Sequence, residues 1–316
     1  MSGRTGRRRQ TAVAATALVV ALAGCSGQAV GGDGASVVAT TTVLGDVARR
    51  VADCGGLDVT TLMPIGADPH GYAPSAAELS TLVRADLVVA NGLGLEESLA
   101  SALDSARQDG ATVLEVAPLL DPIPMVDAHG DTGEADAHDH GALDPHVWLD
   151  VARMAEAARL IGAELAAVTG DDALVACGDR VADDLLATDA EVREILAAVP
   201  PESRLLITDH AAFGYFARTY DFEVLGVVVP GGSTLAEPSS AELAGLAQII
   251  RDTGVRAIFA NKADTTALVD ALAAEVGQVE VVELYVGTLG PEGSGAEDYA
   301  TMMLTNARLI AAALSE

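Results

Sequence analysis

The sequence predicts an α/β protein: two β/α lobes with mostly parallel sheets, separated by one long helix. Three observations carry this. Short apolar runs rich in Val, Ile and Leu alternate with amphipathic helical patterns along most of the chain, the signature of parallel strands covered by helices. The alternation is interrupted from Pro118 to Leu143, and after Gly170 one helical stretch runs from Asp171 to Val199, where Pro200 and Pro201 stop it. Half of the 316 residues are hydrophobic but only 3% are aromatic, which suits small-residue helices packed on strands better than a β-sandwich.

In order, Ser36–Thr42 reads as a strand, Val43–Cys54 as a helix and Leu57–Met63 as a strand ending at Pro64. Pro74–Arg84 follows as a helix with Pro74 in its first turn, then a strand at Asp86–Ala90, a helix at Leu95–Gln108 and a strand at Thr112–Val116. The segment to Leu143 holds three prolines and an acidic stretch, Asp127–Gly141, and reads as a long exposed loop. Helices over Asp150–Val168 and Asp171–Val199 precede a second alternation. Its strands are Arg204–Thr208, Phe222–Val229, Arg256–Ala260 and Val279–Leu284; its helices are Ala211–Tyr220, Pro238–Asp252, Ala263–Val276 and Ala296–Leu314.

The first 24 residues stand apart from the fold. Arg4, Arg7, Arg8 and Arg9 precede an apolar run from Thr11 to Ala23, too short to span a bilayer comfortably and typical of a signal-peptide core. The run ends in Leu22-Ala23-Gly24-Cys25, which resembles the lipobox of bacterial lipoproteins and implies cleavage before Cys25, lipidation of its thiol and residence on the outer face of the membrane. The expected divisions are therefore a leader at 1–24, a Gly/Ser-rich tether at 25–35, an N-terminal lobe at 36–169, a linking helix at 170–199 and a C-terminal lobe at 200–316. Cys54 and Cys177, the remaining thiols, are an even pair in an exported chain and candidates for a disulfide. A formal charge of −28 excludes a basic nucleic-acid footprint. No Gly-x-x-x-x-Gly-Lys phosphate loop occurs, so the chain carries no ATPase motif of its own.

The six histidines sort into two groups. His129, His138 and His140 crowd into the acidic loop, where they suit either a weak collecting site for metal or a merely solvated segment. His70 and His146 each end an Asp-Pro-His tripeptide, and His210 follows Thr208-Asp209. All three come after predicted strands, on the edge where parallel α/β sheets gather ligands. Neutral imidazole suits zinc and other late first-row ions. Asp68, Asp144 and Asp209 are placed to accept a second ring N–H and orient those donors.

Four stretches carry a resemblance. Gly66-Ala67-Asp68-Pro69-His70-Gly71-Tyr72-Ala73-Pro74-Ser75 with Glu78-Leu79, the run Leu143 to Leu149, Thr208 to Phe216, and Leu289 to Tyr299 with Met302-Met303 resemble, in order, the motifs of the metal-binding solute-binding lipoproteins of ABC transporters. The resemblance implies two lobes joined by a rigid helix, with metal held between them by His70, His146 and His210. It also implies a monomer on a lipid anchor that passes its ion to a membrane permease served by a cytoplasmic ATPase, and no enzymatic activity. Histidine at position 210 favours zinc over manganese, the alternative being a manganese- or iron-binding relative, a metallochaperone or an adhesin of the same fold. Where the family usually has a fourth, aspartate ligand this chain has Gly287, leaving Glu237, Glu283 or water to complete the shell. Three histidines with one open position also suit a zinc hydrolase, ranked lower because no motif supplies a general base.

Overall fold

Eight strands divide into two parallel sheets, described here from a computed structural model covering residues 1–3, 35–125, 143–263, 266–277 and 279–315. The first sheet contains β1 (Val37–Ala39), β2 (Val59–Thr61), β3 (Leu87–Ala90) and β4 (Thr112–Glu115), in the order β2-β1-β3-β4. Its helices are α1 (Thr42–Ala52), α2 (Ala76–Val83) and α3 (Ala100–Asp109). After α4 (Val151–Thr169) and α5 (Ala173–Leu196) comes the second sheet, made of β5 (Leu205–His210), β6 (Glu223–Val229), β7 (Ala257–Asn261) and β8 (Glu280–Leu284), in the order β6-β5-β7-β8. It carries α6 (Gly214–Tyr220), α7 (Ser240–Thr253), α8 (Ala267–Val276) and α9 (Tyr299–Leu314). The expected fold class, two parallel-sheet α/β lobes, is the one observed. The leader beyond residue 3, Cys25, the tether to residue 34 and the histidines His129, His138 and His140 lie outside the described residues.

Alternation along the strands explains the layering. Val37, Ala39, Leu87 and Val89 enter one core while Val38, Val88 and Ala90 enter another on the opposite face. In the second sheet Leu206, Ala257 and Phe259 share the first core, and Ile207, Ile258 and Ala260 pack against α7 and α8. The inner faces of both sheets therefore belong to one continuous core with α1, α4, α5 and α9, and residues 34–316 form a single unit. Shared packing of that kind resists wide hinge opening.

α5 spans about 36 Å at 1.5 Å per residue, and its two halves serve different lobes. Near its start Cys177 forms a disulfide with Cys54, with Cα atoms 6.2 Å apart, and Asp184 meets Arg50 at 3.0 Å. Toward its end Asp189 accepts from the Tyr220 hydroxyl at 2.9 Å, and Arg193 donates to the Thr219 carbonyl at 2.8 Å. α5 is not a free-standing rod, however. It lies antiparallel against α4, and Gly162 and Gly178 permit the approach: a Cβ on Gly178 would come within 2.7 Å of the Ala158 carbonyl oxygen.

Most element boundaries shift inward by one to five residues. Two shifts change an explanation. Pro74 is not in the first turn of α2; Ser75 caps that helix, accepting from the Glu78 N–H while Glu78 accepts from the Ser75 N–H. His210 does not follow its strand but is its last residue, paired in register with Val229 of β6. Among the described residues no helix is long and apolar enough to cross a membrane.

Candidate metal centre

Each of the three dispersed histidines reaches the site from a different kind of support. His210 ends β5, so hydrogen-bonded strands fix its backbone. His146 precedes a short 3-10 turn, Val147–Leu149, and its neighbour Pro145 is held where its carbonyl accepts from the Asn91 side chain at 2.9 Å. Asn91 follows β3, and the buried Glu96 carboxylate steadies that exit by accepting from the Asn91 and Gly92 N–H groups at 2.7 and 3.0 Å and from the Thr40 hydroxyl at 2.6 Å. His70 lies in the irregular β2–α2 connection, where the Asp68 carboxylate accepts its backbone N–H at 3.1 Å.

These supports converge. One ring nitrogen from each histidine lies within 4.8 Å of the other two, and the Nε2 atoms of His70 and His146 are 3.1 Å apart. A tetrahedral ion about 2.0–2.1 Å from each nitrogen would set its donors roughly 3.4 Å apart, so the cluster needs little movement to close on one. His146 and His210 are almost fully buried and His70 half-buried.

The three aspartates divide. The His146 Nδ1–H donates to Asp144 at 2.8 Å and the His210 Nδ1–H to Asp209 at 2.9 Å, which makes Nε2 the metal-binding nitrogen of each ring. Asp68 does something else: one oxygen takes the His70 backbone N–H and the other the Thr234 hydroxyl at 2.5 Å, so it does not orient the ring.

Electrostatics disfavour charge on two of the imidazoles. Burial, and then the neighbouring His146 and His210, push His70 down to about 3. Burial likewise holds His146 well below the ordinary histidine range, with His210 adding to it, and raises the Asp144 carboxyl to about 7. The second Asp144 oxygen has no hydrogen-bond partner among the described residues.

The fourth position departs from the expected candidates. Neither Glu237 nor Glu283 joins the three-histidine group. Glu283 faces outward beside Lys262, 3.8 Å away, because alternate residues of β8 point to solvent. Glu237 is exposed on the rim of a cavity of about 400 Å³ that also touches Asp68, Asp209, His210 and Thr234. At Gly287 a Cβ would lie 2.9 Å from the Pro69 ring, so the residue preceding His70 fills the space a side chain would take.

Trp148 packs beside the site, its ring centroid 5.2 Å from that of His146 and its indole N–H donating to the Val286 carbonyl at 2.7 Å. Tyr215 reaches across to donate to the Asp144 carbonyl at 2.9 Å. Sequence reading gave no role to Asn91, Glu96, Tyr215 or Thr234. For Asn91 and Thr234 a usable signal existed, since both follow strands on the ligand-bearing edge of their sheets.

Two α/β lobes with three clustered imidazoles drawn from both of them define a protein built to hold a transition-metal ion. Residues 37–313 match the family described as zinc-uptake complex component A, periplasmic (ZnuA), and the chain belongs to that family of metal-binding proteins of ABC transporters. It is 28% identical over 307 residues to the manganese-binding lipoprotein MntA of Halalkalibacterium halodurans, covering 95% of this chain and 97% of the relative. It is 30% identical over 293 residues to the zinc-binding protein TroA of Treponema pallidum, covering 90% of each. The solved structure of the periplasmic zinc-binding protein TroA from Treponema pallidum superposes with a TM-score of 0.77 at 29% identity, covering 90% of this chain and all of that one. The family is one of transporter binding proteins rather than enzymes.

Proposed function

We propose that this chain is the extracytoplasmic zinc-binding component of an ABC importer, with His70, His146 and His210 as the protein ligands. The observation that carries the reading is the donor set: three imidazole nitrogens within 4.8 Å of one another, with no carboxylate among them. Imidazole suits zinc, whereas manganese prefers carboxylate and other oxygen donors. Water completes the tetrahedron most simply, as three histidines and one solvent position form a stable zinc arrangement.

In this scheme lobes at 36–169 and 200–316, joined by the helix at 170–199, carry the ion as cargo. A monomer anchored through lipidated Cys25 presents it to a membrane permease driven by a cytoplasmic ATPase. The acidic loop with His129, His138 and His140 collects zinc when it is scarce. A manganese-binding role is the second reading, favoured by the likeness to the manganese-binding lipoprotein MntA. The zinc hydrolase ranks below both, since the family consists of binders. Competition between Zn²⁺ and Mn²⁺ for the metal-free protein, followed by the metal content of the product, tests the choice. Retention of manganese in the presence of equal zinc would reject the zinc reading.

A further inference from the structure

The β6–α7 connection does more than join two elements. It leaves β6 at Val229, the register partner of His210, and crosses to the other lobe, where three N-terminal residues meet it. Met125 lies over Gly232, where a Cβ would collide with its methyl group; the Thr234 hydroxyl donates to Asp68 at 2.5 Å; and Leu235 lies on Gly71, where a Cβ would be 3.4 Å from its methyl carbon.

Asp68 holds this strap with one oxygen and the backbone N–H of His70 with the other. His70 is the least buried of the three histidines and the one without an aspartate on its ring. Two further ties join its loop to the C-terminal lobe: the Gly66 N–H donates to the buried Thr288 hydroxyl at 3.1 Å, and Pro69 abuts Gly287. The bond from Thr234 is the tie that reaches the carboxylate holding the His70 backbone, and an ion leaving the site must part from the His70 loop it restrains.

We propose that Thr234 is a positioning residue that, through Asp68, keeps the His70 loop closed over the bound ion and so sets the rate at which the ion is released. The inference rests on the three-histidine reading above. Loss of a hydrogen bond to a carboxylate changes an equilibrium by about tenfold, and here that change falls on release rather than capture.

The test uses the full chain loaded with Zn²⁺ and mixed with excess EDTA, following the fluorescence of Trp148, which lies beside His146. Thr234→Val should release zinc about tenfold faster than the unmodified protein, with association changed less than about twofold and the melting temperature of the metal-free protein unchanged. Thr234→Ser, which keeps the hydroxyl, should restore slow release. Equal release rates, a Ser variant as fast as the Val variant, or a lowered metal-free melting temperature that accounts for the difference would each overturn the inference. Failure of the unmodified protein to bind zinc would instead remove the three-histidine reading and this inference with it.

Discussion

His146 and His210 are held in one way and His70 in another. The first two are buried, each with an aspartate on Nδ1, and their backbones are fixed by a side-chain bond to Pro145 or by strand pairing. His70 sits half-buried in an irregular loop, and its aspartate serves the backbone instead of the ring. Two donors are thus fixed by buried partners, and the third stands beside them on a more loosely held loop. A site that must load and unload benefits from this division: fixed donors supply affinity without ordering cost, and the loop supplies a way out.

Removing donors should expose the difference most strongly. His146→Ala or His210→Ala should lower zinc affinity by about a thousandfold, and His70→Ala by about a hundredfold, because the last removes the least buried and most loosely held donor. Isothermal titration with Zn²⁺ checks this; equal losses at all three positions would erase the distinction. Next in size, Asp144→Asn and Asp209→Asn should each weaken binding by about 10–100-fold, since each replaces the carboxyl that accepts from its imidazole. Normal affinity in both variants would mean that the ring partners do not prepare the donors.

A smaller effect is expected at the seam between the two regions. Gly287→Ala should push Pro69 outward, weakening zinc binding several-fold and lowering stability by about 1–3 kcal/mol. Calorimetry and chemical denaturation of the same variant separate the two losses, and tighter binding would show that the position tolerates a side chain.

The smallest change is expected with pH. His70, pushed down to about 3, and His146, held well below its ordinary range, stay neutral at pH 6, so protons do not compete with the ion there. Zinc affinity should therefore fall between pH 8 and 6 only as far as the Asp144 carboxyl, raised to about 7, gains its proton and loosens its hold on His146, and that fall should be absent in Asp144→Asn. The fold itself behaves differently. In the unfolded chain these imidazoles titrate near 6.5, so below that pH the unfolded state binds protons that the native state refuses. The histidine contribution is complete above about 6.5 and is lost progressively as pH falls toward about 3, as melting temperatures of the metal-free protein against pH should reveal.

Much of this was legible in the sequence because it depends on local pattern. Strand–helix alternation gave both sheets, and Asp-Pro-His and Thr-Asp-His at the strand ends marked the three histidines that cluster. Contacts between distant segments left no such trace. Nothing local in Gly287 reveals Pro69 across the cleft, and nothing in Thr234 reveals Asp68, 166 residues earlier. Asp68 and Asp144 occupy the same tripeptide, yet only Asp144 bonds its histidine ring, because backbone direction at each loop decides which group the carboxylate meets. Glu283 looked available as a ligand until the register of β8 turned it to solvent beside Lys262.

One ion held by all three imidazoles, two firmly fixed and one on a looser loop, is the arrangement proposed for this site. A crystal of the zinc-loaded protein, with diffraction collected on both sides of the zinc absorption edge, tests it most directly. The account predicts a single strong anomalous peak about 2.0–2.1 Å from the Nε2 atoms of His70, His146 and His210, with no carboxylate from position 237 or 283 in contact. A peak away from those three nitrogens, or one ligated by His146 and His210 while His70 stays apart, would contradict it.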